Sequence, residues 1–246
     1  MNVAPGVEML ALPIEMMGGR LIHPTVIWDA HDVVLVDTGV PGSAVPIREA
    51  CEQAGIPIDR LNHIILTHDD IDHIGSLGVI VHEATGPIEV LAHQAEVATI
   101  ESGRPAKMTP ERLASMPVNM REIFETVLET MKMQAVRITH PLAGDERLPY
   151  CGGIRVIHTP GHTVGHICLY LEQSRTLVAG DALNVDGGVL RPSSSALSHD
   201  ARQAVASLQQ LAAFDIATVI CYHGGLYRDA PNQRIADLWQ SASPSI

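Results

Sequence analysis

Short apolar runs, each stopped by glycine or a polar turn, divide most of this chain. Residues 6–37 are expected to be strands: 7–14 is apolar-rich, Thr25-Val26-Ile27-Trp28 follows, and His31-Asp32 makes a turn before Val33-Val34-Leu35-Val36. Asp37-Thr38-Gly39 ends that run in a polar turn. Ser43 is then expected to cap a helix whose apolar positions Ile47, Ala50, Cys51 and Ala54 fall at helical spacing, with Gly55 and Pro57 ending it. Further strands are expected at 64–66 and at 88–91, with His93 at the end of the second. Others follow at 154–157, 167–171, 176–179 and 217–221. Ser198 is expected to cap a helix carrying Ala201, Val205, Leu208 and Leu211, and 235–239 forms a closing helix.

From 94 to about 137 the pattern changes. Thr109-Pro110-Glu111 is a helix start with Pro in the first turn. Pro117 interrupts, and Ile123, Phe124, Val127, Leu128 and Met131 then recur on one helical face. Met108, Met116, Met120, Met131 and Met133 give the segment an adaptable apolar surface. Ordinary helix core accounts for most of them. A lid over a substrate pocket is the functional alternative, because the segment interrupts a strand-rich chain.

With 246 residues, 46% of them apolar and only 3% aromatic, the chain suffices for one large core packed by aliphatic side chains. A single domain over 1–246 is expected, with 94–137 a helical insert within it. The formal charge of −12 disfavours a nucleic-acid partner and offers no general steering to anionic substrates. Cys51, Cys151, Cys168 and Cys221 form no C-x-x-C pair, which predicts reduced thiols. No apolar run reaches membrane-spanning length and the N-terminus lacks a signal pattern, so the expected compartment is the cytoplasm, without a membrane partner. An oligomer is compatible with all of this.

Residues 67–75 read Thr-His-Asp-Asp-Ile-Asp-His-Ile-Gly. Two imidazoles and three carboxylates directly after an apolar strand repel and desolvate one another unless a cation neutralises them. His and Asp fanned from a strand-to-helix loop are ligands for divalent metal; a capped helix start alone would need one carboxylate. Three later strand ends add candidates: His162 in Thr159-Pro160-Gly161-His162-Thr163-Val164-Gly165-His166, Asp181 after Gly180, and His223 in Tyr222-His223-Gly224-Gly225. The candidate ligands are therefore His68, Asp70, Asp72, His73, His162, Asp181 and His223. Leu35-Val36-Asp37-Thr38-Gly39 and Leu177-Val178-Ala179-Gly180-Asp181 both place an Asp at a strand end, which fits a pseudo-symmetric sandwich. His23, His31, His63, His82, His140, His158 and His199 are assigned no role.

In this order the motifs resemble the metallo-β-lactamase superfamily, whose signature is His-x-His-x-Asp-His, a His in a Pro-Gly-His-Thr turn, a Gly-Asp and a late His. The resemblance implies an αββα four-layer sandwich. It also implies two divalent ions, one held by His68, Asp70 and His162, the other by Asp72, His73 and His223, with Asp181 bridging them. Asp72 and Asp181 would take part in catalysis, and His166 would support a ligand without binding metal. Asp37 is expected to brace the metal loop, with plain turn formation as the alternative. Zinc is the expected metal. Asp70 stands where the commonest pattern has His, a harder donor that also admits manganese or iron. Two divalent ions against Asp70, Asp72, Asp181 and a bridging hydroxide leave a neutral cluster. The implied reaction is hydrolysis, the hydroxide attacking the carbonyl of a small neutral ester or lactone in preference to a thioester or β-lactam. A diiron oxidoreductase related to the flavodiiron branch, or a persulfide-type oxygenase, is the alternative, and a non-catalytic binding module the third. Arg191 and Tyr227 are candidate substrate contacts, with a structural role the equal alternative for each.

Overall fold

The computed structural model describes residues 1–14 and 19–242, and the counts below refer to these; the part of the expected 6–37 strand region at 15–18 lies outside them. A seven-stranded sheet runs in the order β1 (Asn2–Ala4), β2 (Val7–Met9), β5 (Thr25–Trp28), β6 (Val33–Val36), β7 (His63–Leu66), β8 (Glu89–His93) and β9 (His140–Leu142). It faces a six-stranded sheet of β10 (Arg147–Leu148), β11 (Ile154–His158), β12 (Ile167–Leu171), β13 (Thr176–Val178), β16 (Thr218–Cys221) and β17 (Gly225–Tyr227). Two hairpins stand apart, β3 (Leu12–Ile14) with β4 (Arg20–Ile22), and β14 (Leu183–Asp186) with β15 (Val189–Pro192).

The period of two along each strand explains the layers. Val34, Val36, Ile65 and Leu91 point between the sheets and pack against Ile154, Val156, Leu169, Val178 and Ile220 of the facing sheet. Their neighbours Val33, Leu35, Ile64 and Val90 point outward, onto Ile47 and Cys51 of α1 (Ala44–Gln53) and Leu77 of the helix beyond the acidic loop. On the other side Leu177, Val219 and Cys221 pack outward onto Leu208, Leu211, Ile235 and Leu238. The central strands β6, β12, β13 and β16 are buried on both faces, which is why their sequences are continuous apolar runs. The result is the αββα sandwich. β6 and β13 occupy equivalent places: each has an antiparallel neighbour on one side, β5 or β12, and a parallel one on the other, β7 or β16. Leu35-Val36 and Leu177-Val178 therefore play the same part in the two sheets.

Several local expectations are corrected. Residues 7–14 form two strands in different sheets, β2 and β3. Ser43 makes no side-chain cap; its own N–H donates to Ser76 Oγ at 2.8 Å. The helix after 198 begins at Ala201, and Asp200, not Ser198, caps it, its carboxylate accepting the N–H groups of Arg202 and Gln203 at 2.9 Å each. A carboxylate that accepts two free helix donors outcompetes a hydroxyl two residues earlier. In the 94–137 segment Thr109 does cap, with Pro110 at the first helical position. Leu128 and Phe124 pack with Met108, Leu113 and Met116, while Val127 and Met131 join the outer core of the first sheet; Ile123 is exposed. Among the described residues no helix is long and apolar enough to cross a membrane.

Candidate metal centre

All seven candidate ligands follow the C-terminal ends of strands, from β7, β11, β13 and β16, on the edge where the sheets leave room for side chains to converge. Two glycines make the turns possible. Gly161 has φ +132°, and a Cβ there would fall 2.1 Å from the Ala204 nitrogen. Gly180 has φ +49°, and a Cβ there would fall 2.7 Å from His166 Nε2. The chain can therefore present His162 and Asp181 only by passing this close to its neighbours.

Asp37 is buried at the end of β6, with φ +61°. Its Oδ1 accepts the Thr67 N–H at 2.8 Å, and its Oδ2 accepts the Thr67 hydroxyl and His73 Nδ1–H, each at 2.8 Å. His68 Nδ1 pairs with Thr67 Oγ1 at 3.0 Å and His162 Nδ1 with Ser193 Oγ at 2.8 Å. In all three imidazoles the Nδ1 atom is tied back and Nε2 faces the site, the arrangement in which an outer partner fixes the tautomer of a ligand. His166 differs. Its Nε2 accepts the Asp181 backbone N–H at 3.0 Å and its Nδ1 pairs with Thr159 Oγ1, so it braces the Asp181 turn.

The donor atoms of His68, Asp70, His162 and Asp181 lie within 4.8 Å of one another, and so do those of Asp72, His73 and His223. Asp181 touches both groups: its carboxylate is 3.4 Å from His162 Nε2, 3.4 Å from His73 Nε2 and 3.5 Å from His223 Nε2. His68 Nε2, His73 Nε2 and Asp181 Oδ1 are buried without a hydrogen-bond partner among the described residues. Three buried acceptors aimed at a common space, with carboxylates on either side, fit divalent cations. Although burial opposes it, the Asp181 and Asp72 carboxylates push His223 up to about 10. Burial would raise Asp181 itself, yet His73 and His223 hold it well below the usual carboxylate range. An ion bound there must displace the imidazole protons, so its uptake weakens as pH falls.

With that geometry in place, the motif order can be matched to known proteins. Residues 17–223 match the profile of the Metallo-beta-lactamase superfamily. The chain belongs to this superfamily. It is similar to the Bacillus subtilis protein YflN, described as a probable metallo-hydrolase, at 32% identity over 158 residues, 63% of this chain and 57% of YflN. YobT of the same species is 27% identical over 222 residues, 87% of each chain. A hydroxyacylglutathione hydrolase of Albidiferax ferrireducens is 30% identical over 203 residues, 79% of this chain and 60% of that enzyme. Among solved structures, the metallo-beta-lactamase family protein TTHA1429 of Thermus thermophilus superposes with a TM-score of 0.70 at 22% identity, over 98% of this chain and 80% of its own. That likeness is one of fold.

Within the superfamily frame, three features escape the sequence motifs. Lys107 reaches in from the 94–137 segment, its Nζ 2.5 Å from Asp70 Oδ2 and 2.8 Å from His162 Nε2. Asp69, fully buried between two ligands, accepts the Ala106 N–H at 2.7 Å and so ties that segment to the metal loop. Tyr222 packs its ring against His73, tilted by 31° with centroids 3.8 Å apart, and donates its hydroxyl to the Asp72 carbonyl. Of the two expected substrate contacts, Arg191 lines the cleft above the centre. Tyr227 packs into the outer core of the second sheet.

Glu96 is a fourth such residue, and it sets a pH dependence. Only 2% exposed, it accepts the Gly165 N–H at 2.6 Å, and burial together with the Asp69 charge pushes its carboxyl up to about 8. The folded protein keeps this proton at pH values where an unfolded Glu, near 4.5, has lost it. The contribution to stability is full below the unfolded value and is lost as pH rises toward 8, at up to ~1.4 kcal/mol per pH unit. Urea unfolding at several pH values should show this decline between about pH 5 and 8. Glu96→Gln, which keeps a neutral side chain throughout, should flatten it; an unchanged slope in the variant would remove Glu96 as its source.

Proposed function

We propose that the protein is a metal-dependent hydrolase of small carbonyl esters or lactones. Its ions would be held by His68, Asp70 and His162 and by Asp72, His73 and His223, with Asp181 shared. The observation that carries this reading is the Asp181 carboxylate. It lies within 3.5 Å of imidazole nitrogens from both groups, and its buried Oδ1 has no hydrogen-bond partner among the described residues. A purely structural polar network would have satisfied those atoms. Four imidazoles favour zinc, and three carboxylates keep manganese and iron compatible. When bound, such ions supply Lewis-acid polarisation of a carbonyl and a water of lowered pKa.

The remaining work falls to the chain itself. A cleft of about 920 Å³ opens above the centre, the size of a small-molecule site. Asp70, Asp72, Asp181, His162 and His223 line its floor, while Met108, Met116 and Phe124 give it an apolar wall. That wall comes from the 94–137 segment, which supports reading it as a lid within a single domain. It orients an acyl chain and excludes water, and the Asp72 Oδ2 atom, 3.2 Å from His223 Nε2, is placed to take and return a proton. Thiol chemistry is disfavoured: burial pushes Cys51, Cys151 and Cys168 each up to about 12. The relatives named as metallo-hydrolases and as a hydroxyacylglutathione hydrolase support hydrolysis over redox chemistry. The test is turnover of 4-nitrophenyl esters and lactones before and after metal removal by a chelator. Activity should vanish with the metal and return with zinc or manganese. Activity that persists in protein verified as metal-free would refute the reading.

A further inference from the structure

The chain carries 16 Lys and Arg against 28 Asp and Glu, yet basic residues gather around its cleft. Arg20, Lys107, Arg112 and Arg191 line it, one quarter of the basic residues of the chain. Apart from the three carboxylates assigned to metal, Asp186 is the acidic residue among the lining residues. The lining thus holds four charges of each sign in a protein of net charge −12, and Lys107 is paired with Asp70; with those three carboxylates engaged by metal ions, Arg20, Arg112 and Arg191 face Asp186 alone. In the metal-loaded centre these guanidinium groups would give the cleft a local field opposite to that of the whole surface, and low-dielectric walls concentrate such a field.

Three of the four cations come from elements that build the cleft. Lys107 sits on the loop that Asp69 fixes through the Ala106 N–H, its ammonium beside Asp70 on the floor. Arg112 is exposed on the short helix Pro110–Ser115 and forms none of the ion pairs among the described residues. Arg191, on β15, lies 3.4 Å from Asp186, with both side chains more than half exposed, so the pair is weak and open to exchange. Guanidinium groups offer planar forks suited to an oxyanion. Met108, Met116 and Phe124 supply apolar surface along the same cleft.

We infer that the substrate is an ester or lactone carrying an oxyanion, carboxylate or phosphoryl, on the part of the molecule remote from the scissile carbonyl, with Arg112 and Arg191 binding it. This rests on the hydrolase reading above and replaces the neutral substrate suggested by whole-chain charge with an anionic one. The test compares kcat/KM of metal-loaded protein for mono-4-nitrophenyl succinate and 4-nitrophenyl butyrate, each corrected for spontaneous hydrolysis. The succinate ester should be preferred about tenfold, as expected for a charged hydrogen-bonded pair, and about 0.5 M salt should shrink the preference. An Arg112→Gln, Arg191→Gln double variant should lose it through KM. A preference at or below one in the wild type, or one unchanged in the double variant, overturns the inference. If neither ester is cleaved, the hydrolase reading fails and the anion site is judged by calorimetry. Succinate and inorganic phosphate are titrated into metal-loaded wild type and double variant. Binding weakened about tenfold in the double variant sustains the site, and the tighter anion names the group. Binding that is absent, or that survives the substitutions and so belongs to the metals, overturns it.

Discussion

Asp181→Ala is expected to lose at least one metal ion and to lower turnover on the order of 10³-fold, about 4 kcal/mol of barrier. The carboxylate lies within 3.5 Å of His162, His73 and His223, and it is the one carboxylate among the described residues that pairs with imidazoles of both groups. Removing it takes one negative charge from between two sets of cation ligands and leaves His73 Nε2 without the oxygen it faces. Losing a ligand of one group, as in His162→Ala, should cost less and leave the Asp72, His73 and His223 group able to bind. Elemental analysis alongside kinetics on the two variants checks the order. An Asp181→Ala protein with full metal content and normal turnover would show that the carboxylate is not shared.

Asp37→Asn should weaken metal binding at the His73 group by about 10- to 100-fold, the usual cost of losing a partner behind a ligand. The amide can keep the Thr67 N–H bond through its oxygen, and Asn tolerates the left-handed backbone at φ +61°. Its NH₂, however, replaces the oxygen that accepts His73 Nδ1–H. The imidazole must then present Nδ1 as acceptor and carry its proton on Nε2, the atom that faces Asp181. A protonated Nε2 cannot donate a lone pair to a metal. Titration with zinc against a competing chelator measures the loss, and circular dichroism verifies the fold. Wild-type affinity in the variant would mean that Asp37 serves only the turn.

The central strands were legible because burial on both faces leaves an uninterrupted apolar run, and the candidate ligands because they follow those runs; the short edge strands β9, β10 and β17, only partly buried, were not. Residues acting across the chain were not. Lys107 meets Asp70 over a separation of 37 positions and Glu96 meets Gly165 over 69, with no local pattern to announce either. The charge count at the centre changes accordingly. Asp70 in place of His implied a neutral cluster, and the Lys107 ammonium 2.5 Å away adds back one positive charge. The hairpin that brings Arg191 to the cleft did leave a trace: Asp186-Gly187-Gly188 between Leu183, Val185 and Leu190 is a hairpin turn signal. Tyr227 takes the structural alternative. Four residues after His223, it lies on a strand whose pairing with Val219 turns the ring into the outer core.

The central claim is that seven donors form one centre for two ions. Elemental analysis of protein purified without chelator, and again after saturation with zinc or manganese and removal of the excess, tests it most directly. The arrangement around Asp181 predicts close to two ions per chain, with His223→Ala reducing the number toward one. A stoichiometry near one that added zinc or manganese does not raise would contradict it.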